Sequence, residues 1–168
     1  IGTSDPVEAL TELDQAIKAF DFSKFSRNMP KFDEDELWRI NARILQQKTF
    51  DDVKPRLQEM ELWDIDAGFW NAVRPNLTKL DDVKDWWYVA NGPVKPVIED
   101  ADYAELLAKT LPEGELNDNS WNEWISEIKS QSDRKGKQLF MPIRLALTGM
   151  QHGPELPQLL PLIGRERI

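Results

Sequence analysis

Apolar residues recur along this chain at steps of three and four, the spacing of one helix face, and no stretch shows the persuasive alternation of a half-buried strand. Leu10, Leu13, Ile17 and Phe20 make the first stripe. Asp5-Pro6 ahead of it reads as an N-cap with proline at the first helical position. Asp33 with Glu36 resembles a capping box in front of Leu37, Ile40 and Ile44. Thr49 with Asp52 starts a third helix, in which Pro55 predicts a kink or a late start. Asp64 opens a short helix through Ile65, Phe69 and Val73 that Pro75 stops, and Thr78 with Asp81 caps a segment leading into Leu80, Val83, Trp86 and Trp87.

Residues 89–97 hold one Gly and two Pro, which makes them the best linker candidate. Beyond them, residues 100–111 read as a helix ended by Pro112 and Gly114, and Ser120 with Glu123 forms a capping box before Trp124, Ile125 and Ile128. Residues 137–148 are helical with Pro142 inside and Gly149 placed as the left-handed residue at the C-terminus. Pro154 starts a last helix carrying Leu156, Leu159, Leu160 and Ile163, ended by Gly164. The expected architecture is all-α, in two halves that divide near residue 90.

Composition narrows the chemistry. The 168 residues include no Cys and one His, so disulfides and thiolate metal sites are impossible and a His relay has no support. The acidic runs at 33–36, 81–82 and 99–102 fall at predicted helix starts, where capping explains them without a metal. No apolar run approaches the ~18 residues of a membrane span, and the N-terminus lacks a signal-peptide pattern. A cytoplasmic protein with no membrane partner is expected. The chain opens on Ile-Gly-Thr rather than Met and reads as cut from a longer one. Phosphate-binding glycine loops, HExxH and GxSxG are all absent, so no catalytic residue is expected here.

Charge adds a partner class. Residues 129–168 carry seven Lys and Arg against three Asp and Glu, a net of +4, inside a chain of net −9; the remainder therefore carries −13. Such a chain is no nonspecific nucleic-acid coat, but one local face can meet nucleic acid. Arg134, Lys135 and Lys137 sit just before a helix, where they can bind phosphate or form a solvated loop. Arg144 lies mid-helix among Leu139, Phe140, Ile143, Leu145 and Leu147. It either snorkels from a packed helix or points its donor fork into a cleft, where it can read or stack on an unpaired base. His152, in the turn that begins at Thr148, is a local hydrogen-bonding residue or a stacking one. Trp86-Trp87-Tyr88 is core packing at a domain joint or a stacking platform, and Arg74 at a helix end can simply complement the helix dipole.

The run Phe140-Met-Pro-Ile-Arg-Leu-Ala-Leu-Thr-Gly149, followed by His-Gly-Pro-Glu-Leu and by Leu-Pro-Leu-Ile-Gly-Arg-Glu-Arg167, closely resembles the C-terminal region of bacterial glutamyl-tRNA synthetases. Phe20-Asp-Phe-Ser23, Ser26, Phe32-Asp33, Leu37, Asn41 and the run Asp81-Asp-Val-Lys-Asp-Trp-Trp87 are also similar to that family, so the resemblance covers nearly the whole chain.

The resemblance implies the anticodon-binding part of a class I synthetase, a helical cage of two small subdomains. Residues 1–49 would be the end of the stem-contact region with connecting helices, and 50–89 and 90–168 the two anticodon-binding subdomains. Arg144 would contact an anticodon base, with Gly153, Pro154 and Leu156 lining the same pocket beside Thr148 and His152. The partner would be glutamate tRNA, bound by a monomer. ATP and Mg²⁺ would serve the parent enzyme's catalytic domain, whose HIGH-type and KMSKS-type motifs do not occur here; this part is expected to need no cofactor. Some family members carry Arg two residues after the Arg of the Arg74-Pro75 dipeptide, where it helps check the third anticodon base; Asn76 stands there instead, which predicts a different reading of that base and charging of glutamine tRNA too. Trp38-Arg39 likewise reverses a frequent Arg-Trp pair. The rival readings are a helical protein–protein adaptor without a nucleic-acid role and a free-standing enzyme.

Overall fold

A computed structural model describes residues 7–25, 27 and 33–168. The Asp5-Pro6 cap, Ser26 and Phe32 lie outside these residues. Among the described residues there are nine α-helices and no strand, as the all-α reading requires: α1 Leu13–Ala19, α2 Glu34–Gln47, α3 Phe50–Glu59, α4 Ala67–Val73, α5 Val83–Asn91, α6 Ala101–Thr110, α7 Ser120–Gln131, α8 Lys137–Thr148 and α9 Leu156–Ile163. Short 3-10 turns follow α1, α4 and α9, and one precedes α5.

Two compact units divide the chain. The first runs to Asp64 and takes in Leu77–Asp82; the second is Ile65–Asn76 with Val83–Ile168. The units do not part near residue 90 as expected. Residues 92–97 belong to the second unit and stay largely exposed, but the Val97 amide donates to the Leu145 carbonyl at 3.1 Å, so this Gly- and Pro-containing stretch is tied to α8 by its backbone.

In the first unit α1 buries nothing: Leu13 and Ile17 face solvent, and Phe20 packs edge-on against Phe22 with ring centres 4.9 Å apart. Asp33 caps α2 by accepting from the amides of Asp35 and Glu36. Leu45 is that helix's buried residue, whereas Leu37 stays exposed, so the face turned inward is displaced from the expected stripe. Arg39 bonds Glu36 at 2.9 Å one turn away, and neighbouring Trp38 is exposed. Thr49 and Asp52 form the full capping box, and α3 starts on time despite Pro55. Asp82 gathers the amides of Thr78 and Lys79, its carboxylate reaching them at 2.9 and 3.0 Å.

The second unit holds the larger core, with Trp70, Trp124, Ile128, Leu139, Ile143, Leu159 and Leu160 almost wholly excluded from water. Helix α9 packs against α4, α5 and α7. Trp124 can be buried because its indole N–H donates to the Leu107 carbonyl at 3.1 Å. Several expected caps shift. Asp66, not Asp64, caps α4 by accepting from the Phe69 amide at 2.7 Å. Ser120 is already helical and its buried hydroxyl accepts from the Asn117 amide, so the Ser120–Glu123 box does not form. Helix α9 begins after Glu155, and Pro157 rather than Pro154 occupies its first turn.

Helix α8 ends as its sequence predicts. Gly149 is left-handed at φ 69, its amide donating to the Leu145 carbonyl. A side chain there would stand 2.7 Å from the Lys95 carbonyl oxygen. Gly149→Ala is expected to destabilise the chain by at least ~1 kcal/mol, the cost of left-handed backbone alone, with the carbonyl contact adding to it; urea melts of both proteins measure the loss.

Candidate functional site

Helix α8, the turn 149–155 and the start of α9 create, among the described residues, the one place where a buried side-chain donor lacks a partner. Leu139, Ile143 and Leu147 pull one face of α8 into the core, which leaves Arg144 on its shoulder, part-buried. The hydroxyl of Thr148 donates back to the Arg144 carbonyl at 2.7 Å and accepts from the Met150 amide at 3.0 Å. That double use bends the chain away from the helix axis. Gly153 then runs against the indole of Trp86 so closely that an added Cβ would sit 2.2 Å from Cη2. Next comes Pro154, fully buried, which aims its carbonyl at Arg144 and accepts from Nη2 at 2.9 Å.

The other edge of that guanidinium is the notable feature. Nη1 of Arg144 is buried and has no hydrogen-bond partner. Burial pushes the Arg144 guanidinium down from its ordinary value, and the Glu155 carboxylate pushes it back up. Even so, an arginine keeps its proton in a protein. A buried charged donor with no acceptor is costly, and this sets Arg144 apart from the other described side chains.

Around this centre the other candidate residues have mixed roles. Gly153, Pro154 and Leu156 do meet at the turn, with Leu156 buried as the first residue of α9. His152 lies exposed on the outside of the same turn. Thr148 is buried, its hydroxyl committed to building the turn. Arg74 and Asn76 lie on the 3-10 turn that follows α4, Asn76 exposed.

At the other end of α8, Arg134 is not a solvated loop residue. Its guanidinium lies 4.0 Å over the Tyr103 ring and pairs with the Asp100 carboxylate that caps α6. Lys135 and Lys137 remain exposed beside it. A hollow of about 560 Å³ bordered by Arg134, Lys137, Gln138 and Glu99 lies at this end. The cationic tail is partly committed too: Arg165 donates to the Leu111 and Pro112 carbonyls, and Arg167 to the Gly92 carbonyl. Charge counting therefore overstated the positive face, because it could not see these internal acceptors. Sequence reasoning also missed Glu155 and the contact of Trp86 with Gly153; nothing in spacing pairs residues so far apart. Asp100 as a partner of Arg134 left only one trace, its position at a helix start.

The described residues include no group of three or more His, Asp or Glu able to hold a metal ion, and no helix long and apolar enough to cross a membrane.

Comparisons with known proteins bear on this arrangement. A family described as the anticodon binding domain matches residues 71–168. The whole chain is 48% identical over 168 residues to glutamate–tRNA ligase 1 of Maricaulis maris, and 44% identical over 170 residues to glutamate–tRNA ligase 2 of Ehrlichia canis. It spans 38% of the length of each. The crystal structure of the glutamate–tRNA synthetase from Elizabethkingia anophelis shares the fold, with a TM-score of 0.69 at 21% identity, over 91% of this chain and 33% of that one.

One pH response follows from the Asp100 geometry. The Tyr103 amide, then the Arg134 guanidinium, hold the Asp100 carboxyl below the usual carboxylate range. A group depressed in this way adds stability at neutral pH that is lost as pH falls from about 4 through its lower folded value. Asp100→Asn keeps a side chain able to cap α6 but removes the charge. Thermal melts should show the variant less stable than the parent at pH 7, with the gap narrowing as pH falls below about 4.

Proposed function

We infer a function from one premise: the chain belongs to the anticodon-binding domain family. It recognises the anticodon loop of a tRNA as the C-terminal part of a glutamate–tRNA ligase. The single observation that carries this reading is the buried, unpartnered Nη1 of Arg144 beside the Gly153-Pro154 bend. An unpaired loop base offers carbonyl and ring-nitrogen acceptors on an exposed edge, and such bases are read by a few fixed donors and stacking surfaces rather than by a broad basic face. Half-buried Gly153 forms the apolar edge of that site, with buried Pro154 and Leu156 backing it from within and exposed His152 a stacking surface at its rim. The exposed Lys135 and Lys137, with Arg134, face the nucleic-acid backbone; Thr148 keeps the turn in shape.

Ligation itself, with ATP and Mg²⁺, belongs to the longer ligase and not to residues of this chain. What this chain contributes is placement of the tRNA, in a cytoplasmic monomer. Asn76 refines the specificity: with a short amide where some members of the family carry Arg near Arg74, the ligase reads the third anticodon base less strictly and charges glutamine tRNA as well as glutamate tRNA.

Binding of a glutamate-tRNA anticodon stem-loop should weaken steeply as salt rises, since phosphate contacts release counterions. A helical adaptor would give no such binding. Arg144→Ala should cost about 1–3 kcal/mol of binding, the scale of one good base contact. Its melting temperature should move little, because losing the Nη2 bond to the Pro154 carbonyl is offset by removing a buried donor that has no partner. A large drop in melting temperature with unchanged binding would make Arg144 a structural residue. Aminoacylation of both purified tRNAs by the longer ligase tests Asn76, and strict rejection of glutamine tRNA would end that part of the reading.

A further inference from the structure

The geometry points to Trp86 as a positioning residue for the Arg144 donor, acting through Gly153 and the Pro154 carbonyl; this rests on the anticodon reading of Arg144 given above. The chain of contacts is short and each link is rigid. Trp86 is buried on α5, and its neighbour Trp87 meets the Phe69 ring edge-on at 5.2 Å, so the helix that carries the indole is anchored on α4. The far ring of Trp86 lies where a side chain at 153 would be: Cη2, Cζ3 and Cζ2 stand 2.2, 2.7 and 3.1 Å from an added Cβ. The backbone of Gly153 therefore rests directly on the indole, at a φ of 147 that side chains rarely adopt. The next residue is proline, with φ fixed by its ring, so the position of Gly153 passes to the Pro154 carbonyl with little slack. That carbonyl holds Nη2 of Arg144 at 2.9 Å. A planar guanidinium pinned at one nitrogen has its other edge placed as well. Thus the indole sets where the unpartnered Nη1 sits.

Two other residues near Arg144 do not supply this control. Thr148 fixes the end of α8 by bonding the Arg144 carbonyl and the Met150 amide, but it does not reach the guanidinium. The Glu155 carboxylate acts on Arg144 only through space, and no hydrogen bond joins them among the described contacts. The steric seat of the turn comes from Trp86. The predicted consequence is specific to recognition: a smaller ring keeps a buried aromatic in the core, yet lets the bend, and with it the donor, move by a fraction of an ångström.

A double-mutant cycle in the 168-residue chain tests this. Binding is measured for the glutamate-tRNA anticodon stem-loop and for three loops with one anticodon base changed in each, with Trp86→Phe, Arg144→Ala and the double variant. Trp86→Phe should reduce the preference for the cognate loop by about tenfold, the order expected when a contact is misplaced. Adding it to Arg144→Ala should cost nothing further, since both act on one contact. If Trp86→Phe melts below the assay temperature, Trp86→Tyr in the same cycle at a lower temperature decides the question, with the same loss of preference expected. Unchanged preference in the aromatic variant, or additive losses in the double variant, would overturn the positioning role while leaving the Arg144 effect intact. If Arg144→Ala alone leaves the preference unchanged, the base contact itself is wrong and this inference falls with it.

Discussion

The Pro154 carbonyl holds one nitrogen of the Arg144 guanidinium while burial strips water from the other, and the functional account of this chain follows from that imbalance. A helix shoulder in a well-packed core would ordinarily reject a charged fork, or match it with a carboxylate or with enough carbonyls to satisfy every donor. Here only half of that compensation is present. The cost is tolerable because the surrounding core is large: α8 and α9 between them bury Leu139, Ile143, Leu147, Leu156, Leu159, Leu160 and Ile163. A site that is unfavourable by itself and satisfied by a ligand gains that compensation only on binding, which favours ligands with an acceptor at that point.

The same logic explains why the site is built on a bend between two helices rather than on a loop tip. Thr148, Gly149, Gly153 and Pro154 each impose a separate constraint: a doubly bonded hydroxyl, a left-handed glycine against Lys95, a glycine against Trp86, and a fixed proline. Together they keep the turn rigid, which lowers the entropic cost of ordering the site on binding.

Much of the fold was legible because helix starts and stops have local causes. The Thr49–Asp52 box, the Asp100 cap and the Gly149 stop depend on neighbours within a few residues, and all three form. Where two acids competed for one role, pattern alone chose wrongly: Asp66 caps where Asp64 was expected, since position relative to the first helical turn decides and a spacing rule does not resolve it. Ser120 failed for a related reason, its hydroxyl being drawn to Asn117. The connection at 92–97 looked like a linker because Gly and Pro mark breaks, but they also mark a backbone fitted against α8. At the site, Arg144 and the Gly153-Pro154-Leu156 stretch stood out by residue type and by resemblance to the synthetases. The roles of Trp86, Glu155 and the Asp100–Arg134–Tyr103 group did not, because they come from tertiary contact between separated helices.

The most direct measurement watches the unpartnered donor itself. With the arginine side chains labelled with nitrogen-15, the Nη1 protons of Arg144 can be followed by nuclear magnetic resonance while a glutamate-tRNA anticodon stem-loop is added, with Arg144→Lys used to assign the signal. The account predicts that this signal shifts downfield and exchanges more slowly with water as the loop binds, while the Arg165 and Arg167 signals change little. An Arg144 signal that stays in place while the loop binds elsewhere on the chain would contradict it.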